Sequence, residues 1–440
     1  MATDTPQLKR TLGPLMLWGL GVGYVISGMY FGWNLGLEKG GTYGLAIATF
    51  FIMIMYVTFT FSYTELACSM PKAGGVFDYA SRALGNHWGF IAGMAQNIEF
   101  VFAPPAIAAA IGAYLGIFFA EIDTIVLAIA VYLLFTLVNV IGVSFAAWIE
   151  LVLTILAVVE LLLFAGISLP HFEISNLHIN PLPNGYAGAF AAIPFAIWFF
   201  LAIEGLANVA EEAINPQRNI LIGFGSAIGT LVLLCFLTFA SAVGVAGWEA
   251  VVYAPGSAEA SDSPLPLALA KIMEEDHLLY HLVVSIGLIG LAASFHGIML
   301  AAGRSTYQFA KGGNAPANLA RVNTKFHTPV NALIFNSSIG IVALLTGKTG
   351  EIITMACFGA LCLYIISMVA LFALRQKEAD LDRPFEVPFY PLFPAVALVI
   401  AIISLLAMII YYSEIAVIFF VILIGSYFLF VFFNQRFARV

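Results

Sequence analysis

Two carboxylates stand inside long apolar stretches of the sequence. Glu99 lies in the segment Gln96–Phe100, and Glu204 stands next to Gly205. An ionisable side chain in a membrane-spanning segment is a functional candidate by default, because hydrocarbon solvates its charge poorly. Each carboxylate is therefore a candidate to bind a cation or to carry a coupling proton. The structural alternatives are support of an unwound segment for Glu204 and a protonated or paired contact between helices for Glu99.

A glycine-rich apolar stretch, Trp18–Leu37, is the first element that could position such groups. It is long enough to cross a bilayer, which takes about 20 residues. Three glycines near its middle predict an unwound break that continues through Ser27, and these are Gly19, Gly21 and Gly23. Another three recur every four residues, the spacing of close helix packing, and these are Gly28, Gly32 and Gly36, with Gly28 shared between the two roles.

A second break is predicted in the segment Ile193–Gly205, which contains Pro194 and Glu204 within an apolar run. In lipid, an unwound segment is tolerated where it is buried in protein or lines a cavity. Two interrupted helices at matching positions of two halves suggest an inverted-repeat transporter, whose site lies between the breaks. Free carbonyl groups at such breaks suit an ammonium group.

The composition places all of this in a membrane protein. The chain has 440 residues, of which 62% are hydrophobic and 10% charged, and its mean hydropathy is +0.99. Soluble proteins carry about 25% charged residues. The net charge of −8 comes with no basic patch that would indicate nucleic acid. The start of the chain does not have the pattern of a cleavable signal peptide. The cysteines lack metal-site spacing and are expected to be free, buried thiols, namely Cys68, Cys235, Cys357 and Cys362.

Twelve apolar runs predict an all-α polytopic fold with 12 transmembrane helices. The runs are 14–37, 42–67, 88–119, 122–143, 146–169, 187–211, 219–246, 280–308, 329–346, 350–374, 392–411 and 414–434. With both termini in the cytoplasm, fourteen of the 17 lysines and arginines fall on the cytoplasmic side, including Lys9, Arg436 and Arg439. The acidic segment 247–279 is then external and partly ordered.

Four ordered motifs resemble those of the amino acid–polyamine–organocation (APC) transporter family. They are Tyr63–Gly85, which contains Glu65-Leu66, Pro71, Gly74-Gly75 and Tyr79; Glu211-Glu212-Ala213-Ile214-Asn215-Pro216-Gln217-Arg218; Arg304–Pro316 with Thr328-Pro329; and Arg383-Pro384-Phe385-Glu386-Val387-Pro388. They span almost the whole chain. Within the family, the stretch Gly23–Asn34 is most similar to ethanolamine permeases.

The resemblance implies the leucine-transporter-like fold: two inverted five-helix repeats, 14–169 and 187–374, followed by two helices in 392–434. Substrate would lie at mid-membrane between the breaks of the first and sixth helices. The function implied is import of a small amine, ethanolamine above all, across the cell membrane. Ethanolamine has no carboxylate, so its site needs acceptors and negative or aromatic surface. The expected substrate-binding residues are Gly21, Gly23, Tyr24, Ser27, Gly28, Glu99, Phe199, Ala202 and Glu204.

Charged groups at the cytoplasmic ends are expected to form gate salt bridges rather than to bind substrate. The candidates are Glu65, Arg82, Glu211 and Arg218. Some proton-coupled relatives carry a lysine in the fifth helix, but here that position reads Ala157 and the run contains no lysine. Proton coupling through Glu99, Glu204 or His296, coupling to sodium, and uptake driven by the membrane potential alone all stay open. His296 has the structural alternative of a satisfied buried histidine.

Three other functions compete with amine import. A small amino acid permease would have the same architecture, and a membrane sensor would bind ligand without transport. An enzyme is disfavoured, because the sequence shows no metal cluster and no nucleophile–base pair at recognisable spacing. No cofactor is expected, and the expected partners are the small-molecule substrate, membrane lipid and a coupling proton or sodium ion.

Overall fold

The computed structural model describes residues 10–142 and 146–437. Lys9 and Arg439, which the orientation prediction uses, lie outside these residues, as does the side chain of Arg436. The described α-helices are α1 (Pro14–Val25), α2 (Ser27–Tyr30), α3 (Trp33–Ser69), α4 (Val76–Leu84), α5 (Asn86–Gly116), α6 (Thr124–Ile141), α7 (Ala146–Ser168), α8 (Ala187–Ala191), α9 (Ile193–Trp198), α10 (Pro216–Ala246), α11 (Glu249–Val252), α12 (Pro264–Leu269), α13 (Leu278–Lys311), α14 (Val330–Leu344), α15 (Thr349–Lys377), α16 (Leu392–Tyr411) and α17 (Ser413–Phe437). Three 3₁₀ helices accompany them: Leu169–His171, Ile174–His178 and Ile203–Glu212.

Every predicted apolar run contains a helix. In the described part of the chain, ten helical stretches are long and apolar enough to cross a bilayer. The remaining two runs hold the shorter apolar helices α1 and α14. The protein is therefore an all-helical, multi-pass membrane protein, and twelve crossings stay a prediction. The shortness of α1 has a local cause: the first run is divided, and its second part opens α3, which bends at Gly41 with φ 64° before the second run begins.

The interior of the bundle consists of the broken sixth run and the helices around it. The most apolar window of Ile193–Glu212 is 100% buried and that of α5 is 78% buried, whereas only 17% of the window in α6 is buried. Helix α5 packs along α15 and α13. The exposed leucines, isoleucines and phenylalanines of α6, α16 and α17 thus form the lipid-facing surface. Three of the cysteines are free and buried as predicted, and Cys362 is free but half-buried.

The segment between α10 and α13 is ordered, in agreement with its prediction. It contains α11 and α12, and its Ser261 carbonyl accepts a hydrogen bond from the Asn34 amide at 2.7 Å. The Thr349 hydroxyl donates to Asp262 at 2.7 Å, and burial of the Asp262 carboxyl raises its pKa to about 6. The segment therefore ties the start of α3 to the start of α15.

Candidate functional site

The first apolar run is interrupted at a different place from the one predicted. Helix α1 is regular through Val25, a short turn at Ile26 leads into α2, and the chain becomes extended at Phe31. Gly32 follows with φ 87°, a conformation that side-chain-bearing residues rarely adopt. The break therefore lies at Phe31–Gly32. Gly32 is also a packing residue, as predicted, because a Cβ there would lie 2.5 Å from the Trp198 ring.

The glycines expected at the break are instead packing residues of α1. A Cβ at Gly19 would lie 2.8 Å from the Leu151 side chain, and one at Gly21 would lie 3.0 Å from Ala227. A Cβ at Gly23 would lie 2.5 Å from Glu150 Oε1. These glycines allow close helix packing, because their missing side chains let α7 and α10 approach the backbone of α1. Prediction of an unwound segment at Gly19, Gly21 and Gly23 was therefore wrong.

The break predicted in the sixth run is present. Helix α9 ends at Trp198, and the chain turns through Phe199 to Ala202 before the 3₁₀ helix begins. Ala202 has φ 75°, the left-handed region that costs a residue with a Cβ roughly 1 kcal/mol or more. Glu204 lies two residues beyond this strained position, so the break determines where its carboxylate lies in the protein interior.

The two breaks contact each other. The Phe31 and Trp198 rings meet edge to face with centroids 5.4 Å apart, and Trp33 stacks on Phe199 at 5.8 Å. A Cβ placed on Gly28 would overlap the carbonyl oxygen of Trp198 and lie 3.1 Å from the Cα of Phe199. Gly28 is thus a point of close approach between the backbones of the two interrupted runs.

We expect Gly28→Ala to reduce uptake of substrate at least tenfold, because the new methyl group meets backbone atoms that have no flexible side chain to move. Uptake per reconstituted protein and thermal stability in detergent are the measurements. Gly229→Ala in α10 is the matched control, since a Cβ there meets nothing within 4 Å and alanine favours a helix by about 1 kcal/mol. Equal uptake by the Gly28 variant and wild type would contradict the close approach.

Glu99 and Glu204 lie side by side in the interior. Both are 0% exposed, and Glu99 also lies beside the backbone of Ala202. The Tyr364 hydroxyl donates to Glu204 Oε2 at 2.9 Å, and the Tyr56 and Tyr364 hydroxyls are 3.0 Å apart. The other three carboxylate oxygens of the pair are Glu99 Oε1, Glu99 Oε2 and Glu204 Oε1. Among the described residues they accept no hydrogen bond of good geometry, and their polar neighbours are each other and the backbone of the turn at Ala202 and Glu204.

Such a pair requires a positive partner. Two neighbouring carboxylates in a buried site are both ionised only when another cation lies with them. Otherwise at least one of them is protonated. Within the described residues, neither carboxylate pairs with a lysine, arginine or histidine. The arrangement can therefore bind a cation at the protein centre and release it when that cation is exchanged for a proton.

Tyr24 and Ser27 lie beside this centre, on α1 and α2. A Cβ on Gly205 would lie 3.2 Å from the Tyr24 ring and 3.4 Å from that of Phe100. The Ser294 hydroxyl of α13 lies 2.9 Å from the Ser27 hydroxyl and 3.0 Å from the Tyr24 carbonyl. Both residues thus lie beside the break of the sixth run. The ring of Tyr24 packs against Gly205 of that run and not against the glycines of α1.

His296 does not join the carboxylate pair. Its ring nitrogen Nδ1 is 3.1 Å from the Asn139 amide of α6, and its ring contacts Phe135. Ser294, two residues earlier, faces α1 on the other side of α13. The structure therefore favours the alternative of a satisfied histidine between two helices.

Two of the four predicted gate residues, Glu65 and Arg82, form ion pairs in the described part of the chain. Glu65 is 1% exposed, accepts two hydrogen bonds of 2.8 Å from Arg375, and lies 3.3 Å from Arg383 Nε. It also accepts the backbone N–H of Val387 at 2.8 Å. Glu65 thus joins α3 to the end of α15 and to the segment before α16.

The other three gate candidates are less deeply placed. Arg82 pairs with Glu378 at 2.6 Å on the surface, and its hydrogen bonds lower the pKa of Glu378. Glu211 accepts the N–H of Ala73 at 3.1 Å, and no ion pair joins it to Arg218 among the described residues. Salt bridges therefore involve Glu65 and Arg82 but not Glu211 or Arg218 among the described residues, and a gate role for all four stays a prediction.

Sequence reasoning missed Tyr364, Tyr56, Ser294 and the arginine partners of Glu65. Tyrosine and serine are common in transmembrane helices, so nothing in the local pattern of α15 or α13 distinguishes these residues from ordinary packing. They are recognised only when the fold brings α3, α13 and α15 against the two breaks.

Comparison with known proteins agrees with this architecture. Residues 12–437 match the family described as amino acid permease. An uncharacterized transporter of Rhizobium meliloti (strain 1021) is 27% identical over 412 residues, covering 90% of this chain and 86% of the relative. The branched-chain amino acid permease of Bacillus subtilis (strain 168) is 25% identical over 432 residues, covering 91% and 88%. The methylthioribose transporter of the same organism is 23% identical over 421 residues, covering 90% and 87%.

These relatives differ in the compounds that their names give, so family membership leaves the substrate of this chain open. It does settle the class of protein, which is a transporter and not an enzyme, and it implies the leucine-transporter-like fold. With a match over nearly its full length, the chain belongs to the amino acid permease family of the APC superfamily.

Proposed function

We propose that this permease imports a small primary amine, with ethanolamine as the first candidate, by alternating access. The observation that supports the proposal is the Glu99–Glu204 pair, in which three buried carboxylate oxygens accept no hydrogen bond of good geometry in the described part of the chain. A primary ammonium group carries three N–H donors and one positive charge, as a lysine side chain does. The three N–H donors thus match the three carboxylate oxygens, and the positive charge balances a negative charge of the pair.

The backbone at the first break also favours a substrate without a carboxylate. Family members that bind amino acids place the substrate carboxylate on N–H groups of the first break. Here the Gly32 N–H already donates to the Asn34 side chain at 3.0 Å. A bound carboxylate would also stand near Glu99 and Glu204 and would be repelled by them.

The alternative is a small amino acid permease of the same fold. It is supported by the family description and by the relative named as a branched-chain amino acid permease. Its substrate would present an ammonium group to the carboxylate pair, and its carboxylate would require donors that the break does not offer at Gly32. Membership of a transporter family favours both of these readings over a sensor that binds without transport.

The transport geometry that we propose has two inverted repeats, 14–169 and 187–374, and two further helices in 392–434, with both termini cytoplasmic. The interrupted first run and the interrupted sixth run would be the opening helices of the two repeats. The substrate-binding set would centre on Glu99 and Glu204, with Tyr24, Ser27, Gly28, Phe199 and Ala202 around them.

The membrane potential alone can drive such uptake. Each positive charge that moves inward gains about 2.3 kcal/mol per 100 mV, which at about 1.4 kcal/mol per tenfold corresponds to roughly 50-fold accumulation. A cationic amine therefore does not require a coupling ion for modest accumulation, and a proton would extend it.

A substrate panel tests the proposal directly. In proteoliposomes with an inside-negative potential, we expect saturable uptake of labelled ethanolamine that unlabelled ethanolamine reduces and alanine and lysine do not. Choline is the matched control, since it keeps the charge and the hydroxyl but has no N–H to donate, and we expect at least tenfold weaker competition. Saturable alanine uptake without competition by ethanolamine would reject the amine and support the amino acid alternative.

A further inference from the structure

Helix α7 carries two buried carboxylic acids that the amine site does not use. Glu150 is 3% exposed and Glu160 is 2% exposed. Glu160 lies beside the hydroxyl of Tyr30, although its Oε2 is buried without a hydrogen-bond partner among the described residues. Glu150 has no hydrogen bond or ion pair at all within the described residues, and its Oε1 is fully buried. An unpartnered carboxylate of this kind requires an explanation.

The surroundings of Glu150 are built to fit its carboxyl group. A Cβ on Gly23 of α1 would lie 2.5 Å from Glu150 Oε1, and one on Gly297 of α13 would lie 3.1 Å from it. A side chain at Gly23 would displace the carboxyl group, and one at Gly297 would crowd both the carboxyl group and the Tyr24 ring. Thr154, one turn along α7, donates its hydroxyl to the Gly19 carbonyl at 3.1 Å. The carboxyl group is therefore enclosed by three helices, and two of them meet it with bare backbone.

The groups that face Glu150 supply no positive charge to neutralise it. From α1 the titratable neighbour is Tyr24. From α13 the nearest charged residue on the same face is Arg304, seven residues beyond Gly297, roughly 10 Å along the helix. Arg304 already pairs with Glu212 at 3.0 Å, and the one titratable residue beside Gly297, His296, faces α6. The titratable side chains of α10, Arg218 and Cys235, show no interaction with Glu150.

We propose that Glu150 binds the coupling proton of transport, an inference that rests on the proposed function. The carboxyl holds the proton while α1, α7 and α13 are packed together, as in this structure. When α1 moves away towards the cytoplasmic opening, water reaches the carboxylate and the proton leaves to the inside. One proton then enters with each amine, and the carboxylate returns empty to accept the next proton from outside.

A sodium ion fits the same place less well. Sodium sites of this fold use unwound backbone carbonyls, but α1 is regular here from Pro14 to Val25. The nearby carbonyls are also occupied, since Gly19 accepts from Thr154 and Tyr24 accepts from Ser294 at 3.0 Å. A proton needs only the carboxyl group itself.

Tyr24 joins the proton site to the amine site. A Cβ on Gly297 would lie 2.8 Å from one edge of its ring, and a Cβ on Gly205 would lie 3.2 Å from another. The ring therefore stands between Glu150 on one side and the residue that follows Glu204 on the other. A movement of α1 that exposes Glu150 must displace the side chain that contacts the broken sixth run.

The experiment compares Glu150→Gln with Glu160→Gln, the same change on the same helix at a similarly buried site. Two assays are made in proteoliposomes: exchange of internal for external labelled ethanolamine at equal pH, and net uptake with the exterior one pH unit more acidic. Wild type and Glu160→Gln should accumulate at least threefold more amine when the gradient is applied. Glu150→Gln, which resembles the permanently protonated acid, should still exchange but show no response to the gradient.

Three results would overturn the assignment: a response to the gradient in Glu150→Gln, loss of the response in Glu160→Gln alone, or wild-type uptake that follows a sodium gradient and ignores pH. If wild type does not exchange ethanolamine at all, the proposed substrate has failed, and the comparison is made with the panel compound that does exchange. If Glu150→Gln cannot be purified in folded form, wild type decides, because absence of proton-driven uptake contradicts the proposal by itself.

Discussion

Glutamine at position 204 is expected to raise the apparent Kd for ethanolamine at least 30-fold. The change removes the negative charge of a fully buried carboxylate and leaves Glu99 alone to bind the ammonium group. Removal of one member of a buried, hydrogen-bonded charge pair costs about 2–5 kcal/mol, or roughly 30-fold to several thousand-fold in affinity. Equilibrium binding in detergent and initial uptake rates in proteoliposomes measure the effect, and Glu99→Gln should give a loss of the same order.

Tyr364→Phe is the matched control for this prediction. It removes the hydroxyl that donates to Glu204 at 2.9 Å but keeps the ring and both carboxylates. A hydrogen bond to a carboxylate contributes about 1.5–3 kcal/mol. Because Tyr364 donates to Glu204 whether or not substrate is bound, we expect only part of this energy to appear in the Kd, a rise of roughly tenfold or less. Wild-type binding and uptake in both Glu99→Gln and Glu204→Gln would contradict the proposed cation site. An effect of Tyr364→Phe larger than that of Glu204→Gln would show that the substrate binds away from the carboxylates.

Replacement of Glu65 by glutamine is expected to be the most destabilising of the conservative substitutions considered. The Glu65 carboxylate is 1% exposed and is shared by Arg375 and Arg383, whose side chains are 19% and 7% exposed. Loss of one partner from a buried ion pair costs about 3–5 kcal/mol, because the remaining charge stays buried without compensation. Thermal unfolding in detergent should show a fall in Tm of about 5 °C or more.

Glu378→Gln provides the comparison for Glu65. Its pairing with Arg82 is also short, 2.6 Å, but the two side chains are 33% and 44% exposed. Exposed ion pairs contribute about 0–1 kcal/mol, so this variant should unfold within a degree or two of wild type. Similar Tm values for the two variants would show that Glu65 is better solvated than its burial indicates.

The sequence was sufficient to find the carboxylate pair but not to show that it is a pair. Glu99 and Glu204 were recognisable singly, since few charged residues stand inside apolar runs. Their contact depends on how α5 packs against the turn at Ala202, which no local pattern encodes. The helices themselves were predictable, because a run of about 20 apolar residues has few other stable structures in lipid.

The glycine spacing, in contrast, did not distinguish a helix break from close helix packing. Gly19 and Gly23 are four residues apart, so they share one face of α1 and present it to α7, just as a packing motif does. Gly32 obeys the same spacing with respect to Gly28, yet it takes a positive φ at the break. Both uses of glycine depend on its missing Cβ, and only the neighbouring helices decide which use applies.

The ion-pair partners of the gate residues could not be predicted for a related reason. Glu65 was correctly expected to form a salt bridge, but its partners Arg375 and Arg383 lie more than 300 positions later in the chain. Several arginines were available at the same predicted ends of the helices. Charge complementarity alone does not choose among them; the packing of α15 against α3 does.

The 3₁₀ helix Ile203–Glu212 has a mechanical consequence. Its ten residues rise about 2.0 Å each, against 1.5 Å in an α-helix, so the segment is about 5 Å longer than its α-helical form. Its far end is attached to the chain before α1: the Glu212 carbonyl accepts the N–H groups of Thr11 and Leu12 at 2.9 and 3.0 Å, and Ile214 donates to the Leu12 carbonyl. Shortening of this segment by rewinding would therefore pull the beginning of α1 towards Glu204. A change in winding beside the carboxylate pair would thus become a displacement at the start of α1.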